Sequence, residues 1–215
     1  YVNAQSALEW VYENYPAPDS IFVTGCSAGS AGSIFHAAHI ARHYPDSIMV
    51  SQLGDSAAES PPVDFDDKYG ARQNFPPDCP ELEGLPDSFT LLHFYVAVAQ
   101  CTPSRTFSQF NFADDDVQEG FYNGLLRDEV PVPWVDSRTF IETATQEIDL
   151  GTQNFYYCTV ANSCPQGQTC HCILNKDLFY ELYVDDTPLT DWVQTVASGT
   201  VSTSISGTAT IERGP

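Results

Sequence analysis

Ser20-Ile21-Phe22-Val23-Thr24-Gly25-Cys26-Ser27-Ala28-Gly29-Ser30-Ala31-Gly32 reads as a buried strand, a tight turn and the start of a helix, with Ser27 at the apex. A turn of this kind forces its central residue into a strained backbone conformation. It also brings strand and helix so close that side chains two residues either side collide, so glycine is expected at Gly25 and Gly29. Ser27 would then stand at a helix N-terminus, where unpaired N–H groups and the helix dipole favour developing negative charge. The pattern is that of an activated serine nucleophile, with the Ala28 N–H as half of an oxyanion hole. G-x-S-x-G also arises in Gly/Ser-rich loops, but the apolar run before it and the helical pattern after it supply the strand–turn–helix setting.

Working outward, Val2 to Tyr15 carries apolar residues at helical spacing and stops before Pro16, and Ala28 to Tyr44 forms a second amphipathic helix. Ser47 to Leu53 reads as a buried strand that closes at Gly54-Asp55-Ser56. Helix, strand, helix, strand with short connections means βαβ units and a parallel sheet, hence an α/β fold. From residue 57 to 87 the pattern dissolves into Pro, Asp and Gly, an irregular, cap-like insertion over one face. Ser88 to Gln100 and Ser137 to Leu150 are helical, and Thr106 to Phe112 and Asn154 to Val160 are strands. Residues 198–215, rich in Ser and Thr, read as a tail or linker after a domain spanning 1–197.

Two further residues attract chemistry. Asp114, Asp115 and Asp116 follow a strand, where three acids suit a helix N-terminus but where a catalytic carboxylate also belongs. His171 stands late in the chain, on a loop between Cys170 and Cys172, where disulfides on both sides would fix its ring. His36, His39 and His43 share one helical stripe; a metal is conceivable there, but solvent-facing side chains opposite the apolar side account for them.

The chain has 215 residues, with 29 Asp and Glu against 8 Lys and Arg and a formal net charge of -21. Such a balance repels nucleic acid and anionic membrane surfaces, and no apolar run is long enough to span a bilayer. Of seven cysteines, Cys158, Cys164, Cys170 and Cys172 cluster at spacings poor for tetrahedral zinc, so a disulfide framework is expected. The odd count resolves if Cys26 stays a free thiol beside Ser27 and the other six pair, which implies an oxidising compartment and secretion. No N-x-S/T sequon corroborates this.

Ser27, Asp115 and His171 stand in the chain order Ser…Asp…His of α/β hydrolases. Here the sequence resembles the pectin acetylesterase/Notum family, in Thr24-Gly25-Cys26-Ser27-Ala28-Gly29, Gly54-Asp55-Ser56-Ala57, Ala113 to Gln118, His171-Cys172-Ile173-Leu174, Phe179-Tyr180 and Asp191-Trp192-Val193. The resemblance spans roughly residues 1 to 197. It implies an α/β-hydrolase-like parallel sheet flanked by helices, with Ser27 as nucleophile, His171 as base and Asp115, three residues before Gln118, as the acid. It further implies a secreted carboxylesterase that takes an acyl group from polysaccharide or from an acylated protein, with no metal and no organic cofactor.

Two departures accompany it. Ser30 stands where the family usually has a second Gly. The family's first strands and its Gly-rich oxyanion segment have no counterpart here, so an upstream portion or a companion polypeptide is expected to pair against the Ser20–Thr24 strand and complete the sheet. A catalytically silent family member, kept as a structural or binding unit of an extracellular assembly, is the alternative.

Overall fold

In the computed structural model, residues 2–59, 70–129, 134–162, 164 and 169–211 are described. Helix α1 (Val2–Asn14) leads into β1 (Ser20–Cys26), followed by α2 (Ala28–His43) and β2 (Met49–Asp55). A short helix α3 (Pro80–Glu83) and α4 (Leu91–Cys101) precede β3 (Thr106–Phe112). Then come α5 (Asp116–Glu129), α6 (Ser137–Gly151), β4 (Phe155–Val160), α7 (Leu178–Glu181), β5 (Leu182–Val184), β6 (Thr187–Pro188), α8 (Leu189–Ala197), β7 (Ile205–Gly207) and β8 (Ala209–Ile211).

Five strands form one parallel sheet in the order β1-β2-β3-β4-β7. All of their C-terminal ends therefore open on one edge, the edge at which α/β sheets bind ligands. Alternation along β3 sends Phe107 to one face and Phe110 and Phe112 to the other. On the first face α2, α4 and α6 bury Ile34, Phe94, Tyr95 and Ile148 against the sheet. On the second, α8 and a small antiparallel sheet of β6, β5 and β8 bury Trp192, Val196, Leu182 and Val184. Burial on both faces explains why β2 and β3 contain almost no exposed position.

Several expectations need correction. Residues 198–211 are no linker: β7 adds to the main sheet beside β4, and β8 pairs with β5. Strand β2 begins and ends two residues later than the hydropathy suggested, and within it Gln52, although polar, is buried with partners, donating to Ser33 Oγ (2.8 Å) and Tyr95 Oη (3.1 Å). Helix α4 starts after Thr90, whose hydroxyl accepts the His93 N–H while the His93 ring accepts the Thr90 N–H (3.1 Å), a capping box. Within the cap-like stretch 57–87, residues 60–69 lie outside the described residues, while Cys79 and Leu82 are buried in the α2/α4 core.

The histidine stripe is also less exposed than expected. His36 and His39 are half-buried, His39 Nε2 donates to the Asn74 carbonyl (2.9 Å), and His43 stacks on Tyr12 at 3.6 Å. Burial pushes the His36 ring's pKa down, helped by its neighbour His39. Strand β1 stands at the edge of the sheet and pairs only with β2 among the described residues, with Phe22 exposed. No helix among them is long and apolar enough to cross a membrane.

Candidate active site

The turn at Ser27 has the expected geometry. Strand β1 ends at Cys26, α2 begins at Ala28, and Ser27 between them has φ 56° and ψ -125°. Such a conformation costs a non-glycine residue about 1–3 kcal/mol, so the surroundings must impose it. The Ser27 N–H donates to the Asp55 carbonyl (2.8 Å), and the Ser27 carbonyl accepts the Ser30 N–H (2.8 Å). The two flanking glycines are not equivalent. A Cβ on Gly25 would meet the Gly29 carbonyl oxygen at 2.1 Å, whereas one on Gly29 would meet nothing within 4 Å. Only Gly25 is therefore demanded by the strand–helix approach. Ala28, as the first residue of α2, carries an N–H with no acceptor inside the helix.

Asp115 lies beyond the end of β3, two strands from Ser27, and is buried. Its Oδ1 accepts the N–H groups of Val117 and Gln118, both at 3.0 Å, which makes it the N-cap of α5. Its Oδ2 accepts from the Gln118 side chain (2.9 Å) and from His171 Nδ1 (3.0 Å). Gln118 also donates to Asn111 Oδ1 (3.2 Å) and accepts the Ala58 N–H (2.8 Å), which locks the carboxylate's orientation. Asp114, by contrast, pairs with Arg138 at 2.8 Å. An acceptor at Nδ1 places the imidazole proton there and leaves Nε2 free to take a proton from elsewhere.

The loop carrying His171 follows β4 and is fastened on both sides. Disulfides join Cys164 to Cys170 and Cys26 to Cys172, the latter across a Cα separation of 5.4 Å, and Cys79 pairs with Cys101. The expectation that Cys26 is the free thiol is thus wrong. Cys158 is the unpaired one, buried in β4, where burial raises its pKa well above the ordinary thiol range and keeps it unreactive. Ser27 and His171 each adjoin one half of the Cys26–Cys172 bond. No hydrogen bond joins the Ser27 hydroxyl to the His171 ring among the described residues. The donor atoms of Cys26, His171 and Cys172 lie within 4.8 Å of one another, but the disulfide consumes both thiols and leaves one imidazole, too few ligands for a metal.

Beneath this loop sit two residues to which the sequence alone assigned no role. The Asp55 carboxylate is buried, accepts the Leu174 N–H at Oδ2 (2.9 Å) and the Ser56 hydroxyl at Oδ1 (2.7 Å). Burial pushes its pKa above the ordinary 3.8, against the pull of the Leu174 and Ser56 hydrogen bonds. Ser56, at φ 60°, accepts the Cys172 N–H on its hydroxyl oxygen (2.9 Å). The signals available were their position at a strand's C-terminal end and their place in one of the stretches that carry the family resemblance. An open depression lined by Tyr44, Asp46, Cys101 and Arg105 lies at the opposite edge of the sheet and contains none of these groups.

The arrangement offers a strained serine at a helix N-terminus and, on the same edge, an imidazole oriented by a buried carboxylate. No protein-family model matches this chain, and no curated protein matches it.

Proposed function

We propose that this chain carries the catalytic groups of a secreted serine carboxylesterase, resembling the pectin acetylesterase/Notum family within an α/β-hydrolase fold. The observation that carries the reading is the pairing of His171 Nδ1 with the buried Asp115 carboxylate on a loop bonded covalently to the serine turn. His171 Nε2 takes the Ser27 proton as the hydroxyl oxygen attacks the ester carbonyl. Asp115 holds the imidazole tautomer and stabilises its charge. The oxyanion is held by the Ala28 N–H with further donors from an upstream portion or companion polypeptide seated against the β1 edge. Collapse of the tetrahedral adduct expels the alcohol, protonated by His171, and leaves an acyl-serine. Water, deprotonated by the same imidazole, then releases the acid and restores Ser27.

No step calls for a metal or an organic cofactor. The net charge of -21 disfavours a polyanionic galacturonan, so a neutral acetylated glycan or an acylated protein suits the chain better. Three disulfides fit an oxidising, extracellular compartment.

One observation favours a second reading, a catalytically silent structural or binding unit: the serine hydroxyl and the imidazole are not hydrogen-bonded to each other. Fluorophosphonate labelling followed by peptide mass spectrometry separates the two. The esterase reading expects an adduct on Ser27 that Ser27→Ala and His171→Ala abolish, together with release of acetate from acetylated glycan. No adduct on Ser27 in the intact native material favours the silent reading instead.

A further inference from the structure

We propose that Asp55 and Ser56 are positioning residues for the His171 imidazole, an inference that rests on the esterase reading. At the C-terminal end of β2 they tie together the three segments that the reaction would use. The Asp55 carbonyl accepts the Ser27 N–H (2.8 Å) and so braces the turn. Asp55 Oδ2 accepts the Leu174 N–H (2.9 Å) and Ser56 Oγ accepts the Cys172 N–H (2.9 Å), so the main chain just after His171 is held at two alternate positions. The Ser56 N–H donates to the Phe110 carbonyl (3.0 Å), on the strand that leads to Asp115. The Ser56 hydroxyl completes the link by donating to Asp55 Oδ1 (2.7 Å).

Two features argue that this hub does more than stabilise. A buried carboxylate is expensive to desolvate, and no cation pairs with Asp55 among the described contacts. A left-handed backbone at Ser56 would be easier for glycine, which lacks the hydroxyl that grips Cys172. The Cys26–Cys172 disulfide holds that loop through a side chain, and on the other side Lys176 Nζ donates to the carbonyls of His171 (2.7 Å) and Thr169 (2.8 Å). The two hooks add direct anchors for the main chain on the C-terminal side of His171, and so fix the ring beside Asp115.

Ser56→Gly tests this, because it deletes the hook while relieving the positive φ. The expected result is a kcat for p-nitrophenyl acetate lower by about tenfold or more, the scale of a misplaced reacting group, with KM changed less than about twofold. The rate of fluorophosphonate labelling should fall in parallel and Tm should not. Asp55→Asn should show the same split between kcat and KM. Either variant retaining kcat within about twofold of the parent, or losing kcat only in step with Tm, overturns the positioning role. These outcomes are distinct from failure of the esterase reading, which would show as no Ser27 adduct in the unsubstituted protein and would remove the inference with it.

Discussion

The two edges of the parallel sheet are made by the same strands and put to different uses. At the N-terminal edge, Arg105 is buried and its guanidinium donates to the carbonyls of Ala41 (3.0 Å), Tyr44 (2.7 Å) and Ile48 (2.5 Å). The Asn154 side chain likewise donates to the carbonyls of Ala99 (3.1 Å), Thr102 (3.1 Å) and Arg105 (2.9 Å). Those carbonyls belong to the last turns of α2 and α4 and to the loops that follow. There helices leave acceptors without partners, and positive charge complements the dipole. At the C-terminal edge the backbone is instead forced to positive φ at Ser27, Ser56 and Cys172, and two carboxylates, Asp55 and Asp115, are buried. One edge satisfies the polar groups that helices leave over. The other concentrates strain and buried charge around a histidine. On the proposed reading, stability and chemistry are separated along the strand axis, so substitutions at the two ends should fail in different ways.

The sharpest test is His171→Ala, expected to lower kcat by at least about 10³-fold, as removal of a triad base does, while the protein still folds. Steady-state hydrolysis and circular dichroism check both halves. Arg105→Met should do the reverse. Uncapping buried carbonyls and removing their charge partner costs about 3–5 kcal/mol in urea unfolding, with kcat of the folded fraction unchanged. A large kcat loss from Arg105→Met would break the comparison.

The disulfide between Cys26 and Cys172 lies at the C-terminal edge yet is also a stability device, so it sharpens the contrast where it blurs. Cys26→Ser combined with Cys172→Ser should cost about 2–4 kcal/mol in denaturant unfolding and lower kcat as well. Cys79→Ser combined with Cys101→Ser should lower stability alone.

A smaller effect concerns pH. Burial raises the Asp55 pKa in the folded protein above its ordinary 3.8, so the native state holds that proton more tightly than the unfolded chain does. Its contribution to stability is therefore fully present below about pH 3.8 and is lost as pH rises through the folded value. Asp55→Asn removes this titration. In paired urea melts the parent should lose stability relative to Asp55→Asn as pH rises from about 3.5 to about 7. A difference that is constant with pH would show that Asp55 does not titrate in this way.

Much of the edge that carries Ser27 and His171 was legible because its signals are local. The spacing Gly25, Ser27, Gly29 between an apolar run and a helix specified the turn, and Ser27 adopts the positive φ that the pattern requires. The three acids after β3 marked the place, and the family resemblance, which puts the acid three residues before Gln118, singled out Asp115; Gln118 hydrogen-bonds its carboxylate. His171 was legible from its place in a cysteine-rich loop, and it pairs with Asp115.

What was not legible depends on where distant segments land. Cys26 and Cys172 are separated by 146 positions, and nothing in either neighbourhood names the other. Strand β7 has only three residues amid Ser and Thr, too short to show alternation, and it exists because β4 offers it an edge. Asp55 and Ser56 looked like the end of a strand. Their roles appear only once the loop from residue 169 to 174 folds over them.

The long-range disulfide has a consequence for the molecule's integrity. A protease that severs a single peptide bond anywhere between residues 26 and 172 produces two fragments, one ending with the serine turn's side and one beginning before the histidine's side, that remain covalently joined. Such a nicked molecule would run as one band until reductant is added, and it would keep serine and imidazole on a single particle after the backbone has lost its continuity.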